Sequence, residues 1–213
     1  DEYLEFDIKR AKLYSESTEY KMLEDEIGYI MVSSFEENTD EQFIEAIDNL
    51  LNQNMKSLII DLRSNGGGYV DTCLNMVNRI LPSGSIMYTE DKNGKKEYYN
   101  SDDKEKLDIP IVILVDENSA SASEIFTGAL KDRDAAVVIG TLSFGKGIVQ
   151  DVLELPDGSG LKITESRYYT PNGICIHEKG IEPDIEVELN IEAYKKDNID
   201  NQLDAAIDYL NNN

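Results

Sequence analysis

Asn118-Ser119-Ala120-Ser121-Ala122-Ser123-Glu124 opens the run that decides the fold, and Ser143-Phe144-Gly145-Lys146-Gly147-Ile148-Val149-Gln150 closes it. Residues 110–116 ahead of it form a continuous apolar run, the pattern of a strand covered on both faces. That strand leads directly into the serine-rich segment, where a helix is expected to begin and to run to about Lys131. Residues 135–139 then read as another short apolar strand. Buried strand, helix, buried strand is the repeating unit of an α/β protein.

The same run suggests chemistry. A strand-to-helix junction sets a side chain at a helix N-terminus, where unpaired N–H groups and the positive dipole end favour a developing anion. Ser121 stands there, and Ala122 beside it brings a backbone N–H. Ser121-x-x-Glu124 is also a capping box, and most such serines only cap. Ser119 and Ser123 compete for the nucleophile's role, and local sequence does not choose among the three. A serine hydroxyl needs a group to take its proton. Lys146 fits when neutral, although an ordinary lysine stays protonated up to about 10.4. Bringing such an amine to about 7–8 costs about 4 kcal/mol of desolvation or charge repulsion. A lysine between Gly145 and Gly147, with Phe144 before it and Ile148-Val149 after, has a setting suited to that, and Gln150 can hydrogen-bond the amine.

Outward from this run, Leu4, Phe6 and Ile8 alternate with polar residues, as in a strand entering from upstream. Residues 27–35 read as a strand. Thr39 and Gln42 form a capping-box signature for a helix bearing Phe43, Ile44, Ile47, Leu50 and Leu51 on one face. Residues 57–63 read as a buried strand ending in Ser64-Asn65-Gly66-Gly67-Gly68. Val70, Cys73, Leu74, Val77, Ile80 and Leu81 mark the next helix. Hairpins are expected over residues 86–99, turning at Asn93-Gly94, and over residues 149–169, turning at Asp157-Gly158-Ser159-Gly160. A last helix is expected near residues 200–210. The sum is an α/β class with a mixed sheet.

The formal charge is −23, from 20 basic and 43 acidic residues, which argues against nucleic acid or an anionic membrane surface as partner. Cys73 and Cys175 lack Cys-x-x-Cys spacing and form no disulfide framework. No 18-residue apolar run and no signal peptide are visible. His177, the single histidine, lies in a late loop, and no Gly-x-Ser-x-Gly elbow accompanies it, so lysine is preferred as base. Gly140 to Lys146 fits most of a phosphate-binding loop. Gly147, however, lacks the hydroxyl that would hold Mg²⁺, and the next residues alternate like a strand. The acidic residues are scattered without metal-ligand spacing.

Six segments in order resemble the carboxyl-terminal processing, or tail-specific, proteases. They are Asp61-Leu-Arg-Ser-Asn-Gly-Gly-Gly68, Ser119-Ala-Ser-Ala-Ser-Glu124, Phe144-Gly-Lys-Gly147 with Gln150, Leu155-Pro-Asp-Gly158, Arg167-Tyr-Tyr-Thr-Pro171 and Lys179-Gly-Ile-Glu-Pro-Asp184. The resemblance implies a ClpP/crotonase-like α/β catalytic core, a mixed sheet with flanking helices and hairpins. It implies one peptidase domain over residues 1–213, with an N-terminal strand in residues 1–20 and a C-terminal helix at about 199–211 packed on it. By the same resemblance Ser121 is the nucleophile, Lys146 the base and Gln150 the residue orienting that base. Gly67 and Ala122 supply the oxyanion N–H groups. It further implies no cofactor and no metal, flexible protein C-terminal tails as substrates, and an extracytoplasmic location, and it leaves homo-oligomer formation open. The PDZ domain usual in the family is expected to be missing from this chain. The alternative is a relative of the same fold that binds peptides without cleaving them.

Overall fold

The computed structural model of the chain describes residue 9, residues 15–102 and residues 106–212. The alternation at Leu4, Phe6 and Ile8 lies outside the described residues. In chain order the elements are β1 (Thr18–Met22), β2 (Ile27–Val32), α1 (Thr39–Asn52), β3 (Ser57–Asp61), α2 (Val70–Ile80), β4 (Gly84–Asp91) and β5 (Lys96–Ser101). There follow β6 (Ile111–Val115), α3 (Ala122–Asp132), β7 (Val137–Gly140), β8 (Ile148–Glu154), β9 (Gly160–Tyr169), β10 (Ile185–Glu186), α4 (Ile191–Asp197) and α5 (Asn201–Asn212).

The strands form two sheets. The larger runs β1-β2-β3-β6-β7-β10, and the smaller runs β5-β4-β9-β8. In the larger sheet only the β1–β2 pair is antiparallel, so the sheet is mixed, as the sequence pattern predicts. The smaller is antiparallel throughout, built from the two expected hairpins joined through β4 and β9.

Strand geometry explains the continuous apolar runs. Side chains alternate faces, so a strand between two layers must be apolar at every position. Leu58, Ile60 and Leu62 and, on β6, Ile111, Ile113 and Val115 join a core with Phe43, Ile47, Met76 and Phe126. Ile59, Val112 and Leu114 point the other way, into a core with Ala206 and Leu203 of α5. Helices α1, α2 and α3 thus cover one face, and α5 covers the other across β6 and β7.

One local expectation fails. Thr39 and Gln42 do not form a capping box, since Asn38 is the N-cap of α1 and no side chain caps it. Thr39 Oγ1 instead meets Ser17 Oγ at 2.6 Å and accepts the Glu36 N–H at 2.8 Å. Gln42 Oε1 accepts the N–H groups of Ser17 and Thr18. Residues distant in sequence outcompete the local cap because the backbone entering β1 needs those acceptors.

β3 and β6 are parallel neighbours, with Leu58 opposite Ile111 and Asp61 opposite Leu114. Parallel strands in register end at the same edge, and their exit loops therefore lie side by side. Those loops are Leu62 to Gly68 and Asp116 to Ser121. Asp116 joins them, with Oδ1 accepting the Ser64 N–H (2.8 Å) and the Ser119 N–H (3.0 Å).

Candidate active site

The three serines have separate fates. Ser119 is fully buried, and its hydroxyl donates to the Leu62 carbonyl at 2.8 Å. Ser123 is equally buried and donates to the Asn65 carbonyl at 2.8 Å. Both hydroxyls stitch the β3 exit loop to α3. Ser121 alone of the three reaches solvent, as the half-buried N-cap residue of α3. Its backbone sits at φ 57°, ψ −114°, a conformation that L residues rarely adopt. Such strain costs about 1–3 kcal/mol and persists where surrounding contacts over-determine it.

Gly67 shows why the facing loop is glycine-rich. At φ +100°, a Cβ on Gly67 would lie 2.8 Å from Ser121 Cβ and from the Ala120 carbonyl oxygen, and 3.0 Å from the Ala122 nitrogen. The Gly67 backbone therefore abuts Ser121 and Ala122. Its N–H, however, donates to Asn65 Oδ1 at 2.9 Å. The oxyanion role expected of Gly67 requires that N–H to face the site, and here a tight side-chain turn occupies it. The Ala122 N–H belongs to the first turn of α3, whose donors have no acceptor within the helix.

Lys146 is half-buried in the loop before β8. The glycines around it permit close packing on the late loop, since a Cβ on Gly147 would sit 2.4 Å from the His177 nitrogen. The Gly145 carbonyl accepts the Glu178 N–H at 2.8 Å. His177 thus buttresses the lysine loop through its backbone. No helix follows Lys146, so Gly140 to Lys146 does not build a phosphate-binding loop.

Glu124, one turn into α3 and 1% exposed, joins the two halves of the site. Its Oε2 accepts the Ser121 N–H (2.9 Å) and the Lys146 N–H (2.8 Å). Oε1 accepts the Gly145 N–H (2.7 Å) and the Ser143 hydroxyl (2.6 Å). The capping-box pair foreseen at Ser121 and Glu124 is present, yet the glutamate's larger task is to anchor the lysine loop. On the other side of the same pair, the buried Tyr168 hydroxyl contacts the carbonyl oxygens of Ser121 and Lys146. Burial, and then the neighbouring Glu124, push the Tyr168 phenol far up, so it stays a donor.

Gln150 is exposed, and among the described residues its amide donates to Thr164 Oγ1 (3.4 Å) across the β8–β9 hairpin and not to Lys146. A register irregularity between Val149 and Gln150 accompanies this. Sequence reasoning did not foresee the roles of Glu124 and Tyr168, nor that of Arg63. The Arg63 guanidinium bonds Asp61 (2.6 Å), both oxygens of Asp200 (2.8 and 2.9 Å) and Gln202 (3.0 Å). It thereby ties the start of α5 to the base of the glycine loop. The only signal in the sequence was a charged residue closing an apolar strand.

The model of peptidase family S41 matches residues 26–187. The chain belongs to peptidase family S41. This S41 domain is 40% identical over 184 residues to a probable CtpA-like serine protease of Staphylococcus aureus (strain COL), covering 85% of the chain and 37% of that relative. It is 38% identical over 187 residues to the carboxy-terminal processing protease CtpA of Bacillus subtilis (strain 168), covering 87% and 40% respectively. Among solved structures it resembles the photosystem II D1 C-terminal processing protease, with TM-score 0.76, 30% identity, and coverage of 84% of the chain and 50% of that protein. The chain thus spans about two fifths of the length of the curated relatives it matches. The fold and family are those of a serine-type peptidase domain. No described helix is long and apolar enough to cross a membrane.

Proposed function

We propose that this chain is the catalytic core of a serine endopeptidase that cuts protein substrates near their carboxyl-terminal tails, with Ser121 as nucleophile and Lys146 as base. The observation that carries this reading is the state of the three serines. Two hydroxyls are buried and committed to carbonyls, while the third is accessible, strained and tied through its backbone to the lysine.

In this mechanism neutral Lys146 takes the Ser121 proton as Oγ attacks the peptide carbonyl. The Ala122 N–H receives the oxyanion, and the Gly67 N–H joins once it leaves Asn65, each donor contributing about 3 kcal/mol. The C–N bond then breaks as Lys146 returns its proton to the leaving amine. Water attacks the acyl-enzyme, and Lys146 again accepts and returns the proton. Gln150 orients the amine after turning from Thr164. The chemistry requires no cofactor.

β8 is an edge strand starting two residues after Lys146, so an extended tail can pair with it and pass the dyad. Phe144 and Leu142, both exposed, offer apolar contacts to such a tail. The extracytoplasmic location stays part of this proposal, resting on kinship.

The test is cleavage of an unstructured peptide with an apolar C-terminus, alongside fluorophosphonate labelling mapped by mass spectrometry. Labelling at Ser121, with cleavage lost in Ser121→Ala and Lys146→Ala, is expected. Undiminished cleavage in either variant refutes the dyad. A second reading, tail binding without turnover, is favoured by the Gly67–Asn65 bond alone. Peptide binding without labelling would select it.

A further inference from the structure

The Ser121–Lys146 pair is gripped from two sides. Glu124 Oε2 holds the two N–H groups, and the Tyr168 hydroxyl meets the two carbonyl oxygens. Tyr168 also donates its own backbone N–H to the Gly147 carbonyl at 3.1 Å. It stands on β9, where it pairs with Thr89 of β4, and is 1% exposed. The smaller sheet thus reaches the space between the start of α3 and the lysine loop through one side chain.

We infer that Tyr168 is a positioning residue for the Ser121–Lys146 pair, its hydroxyl fixing the separation of nucleophile and base. This rests on the dyad reading above. The inventory of bonds makes the role specific. The Ser121 carbonyl also accepts the N–H groups of Glu124 (2.9 Å) and Ile125 (3.0 Å), so it stays satisfied without the tyrosine. Among the described residues the Lys146 carbonyl has the Tyr168 hydroxyl as its partner. Losing that hydroxyl therefore releases the lysine side of the grip and spares the helix. A raised phenol pKa, caused first by burial and next by Glu124, keeps this donor protonated through any working pH. Geometry matters at this scale because displacing a reacting group by about 1 Å can cost about 100-fold in rate.

Tyr168→Phe in the full chain tests the inference, because it removes one oxygen and leaves the buried ring. Fluorophosphonate labelling of Ser121, followed from pH 6 to 10, and kcat and KM for peptide cleavage are compared with the parent chain. The expected result is a fall of about 10- to 100-fold in labelling rate and kcat, with KM within about twofold. The parent rate should reach a plateau with rising pH, the mark of a positioned base that saturates. The variant, with its base displaced, should keep rising with hydroxide. Parental rates in a folded variant overturn the inference and leave the dyad standing. A uniform fall with the plateau intact also overturns it, since that is the mark of general loosening. Should Tyr168→Phe not fold, Tyr168→Met removes the same hydroxyl with a flexible apolar side chain. The same loss of plateau there supports the inference, and a parental profile overturns it. Absence of Ser121 labelling in the parent chain defeats the dyad reading itself, a result distinct from all of these.

Discussion

The backbone N–H groups of Ser121 and Lys146 converge on one oxygen, Glu124 Oε2, at 2.9 and 2.8 Å. Two loops that exit different strands are thus registered by a single side chain. Removing it leaves buried donors without partners, which is costlier than the bonds themselves are stabilising. Glu124→Ala should cost about 3–5 kcal/mol, read as a lower urea midpoint.

Adjacent glycines should respond in opposite ways. A Cβ on Gly66 meets nothing within 4 Å, whereas one on Gly67 strikes Ser121 Cβ and the Ala120 carbonyl at 2.8 Å with φ at +100°. Gly66→Ala should stay within about 0.5 kcal/mol of the parent in urea unfolding. Gly67→Ala should lose about 1–3 kcal/mol and push Ser121 aside, with peptide cleavage falling accordingly.

Acid stability has a defined contributor. Burial raises the Asp200 carboxyl, but the hydrogen bond and charge of Arg63 outweigh it, and the net pKa lies below the usual value. A depressed carboxylate contributes stability above its unfolded value, about 3.9, and that contribution disappears as pH falls through the folded value. Thermal midpoints between pH 3 and 7 should therefore drop more steeply below about pH 4 in the parent than in Asp200→Asn, which cannot titrate. Parallel curves would remove Asp200 from the account.

The cysteines should differ sharply in reactivity. Cys73 is fully buried, its Sγ 3.2 Å from the Ala122 carbonyl oxygen, and burial pushes its thiol well up. Cys175 is partly exposed. Thiolates are the reactive form, so iodoacetamide should modify Cys175 in the native protein and Cys73 only on unfolding, by mass spectrometry.

Fold class, helices and hairpins were legible because burial imposes periodicity. The continuous runs at β3 and β6 could only be strands between two layers, and Asn93-Gly94 marks a turn by its conformational needs. The elements missed were β1, α4 and β10. The first two have no buried residue, and the third is two residues long, so none leaves an apolar pattern. At the site, the serine-rich junction and the Gly-Lys-Gly loop were readable as motifs. The choice of Ser121 over Ser119 and Ser123 came only from the family resemblance, because local spacing does not show the carbonyls of Leu62 and Asn65 taking the other two hydroxyls. Glu124 and Tyr168 were hidden for the same reason. Hydrogen bonds spanning more than twenty residues follow from topology, and no local spacing encodes them.

Ser121 occupies backbone territory where glycine would rest at ease. On the dyad reading, a copy of this domain freed from turnover has little to hold serine there, because glycine relieves the strain and gives up only a cap worth about a few tenths of a kcal/mol.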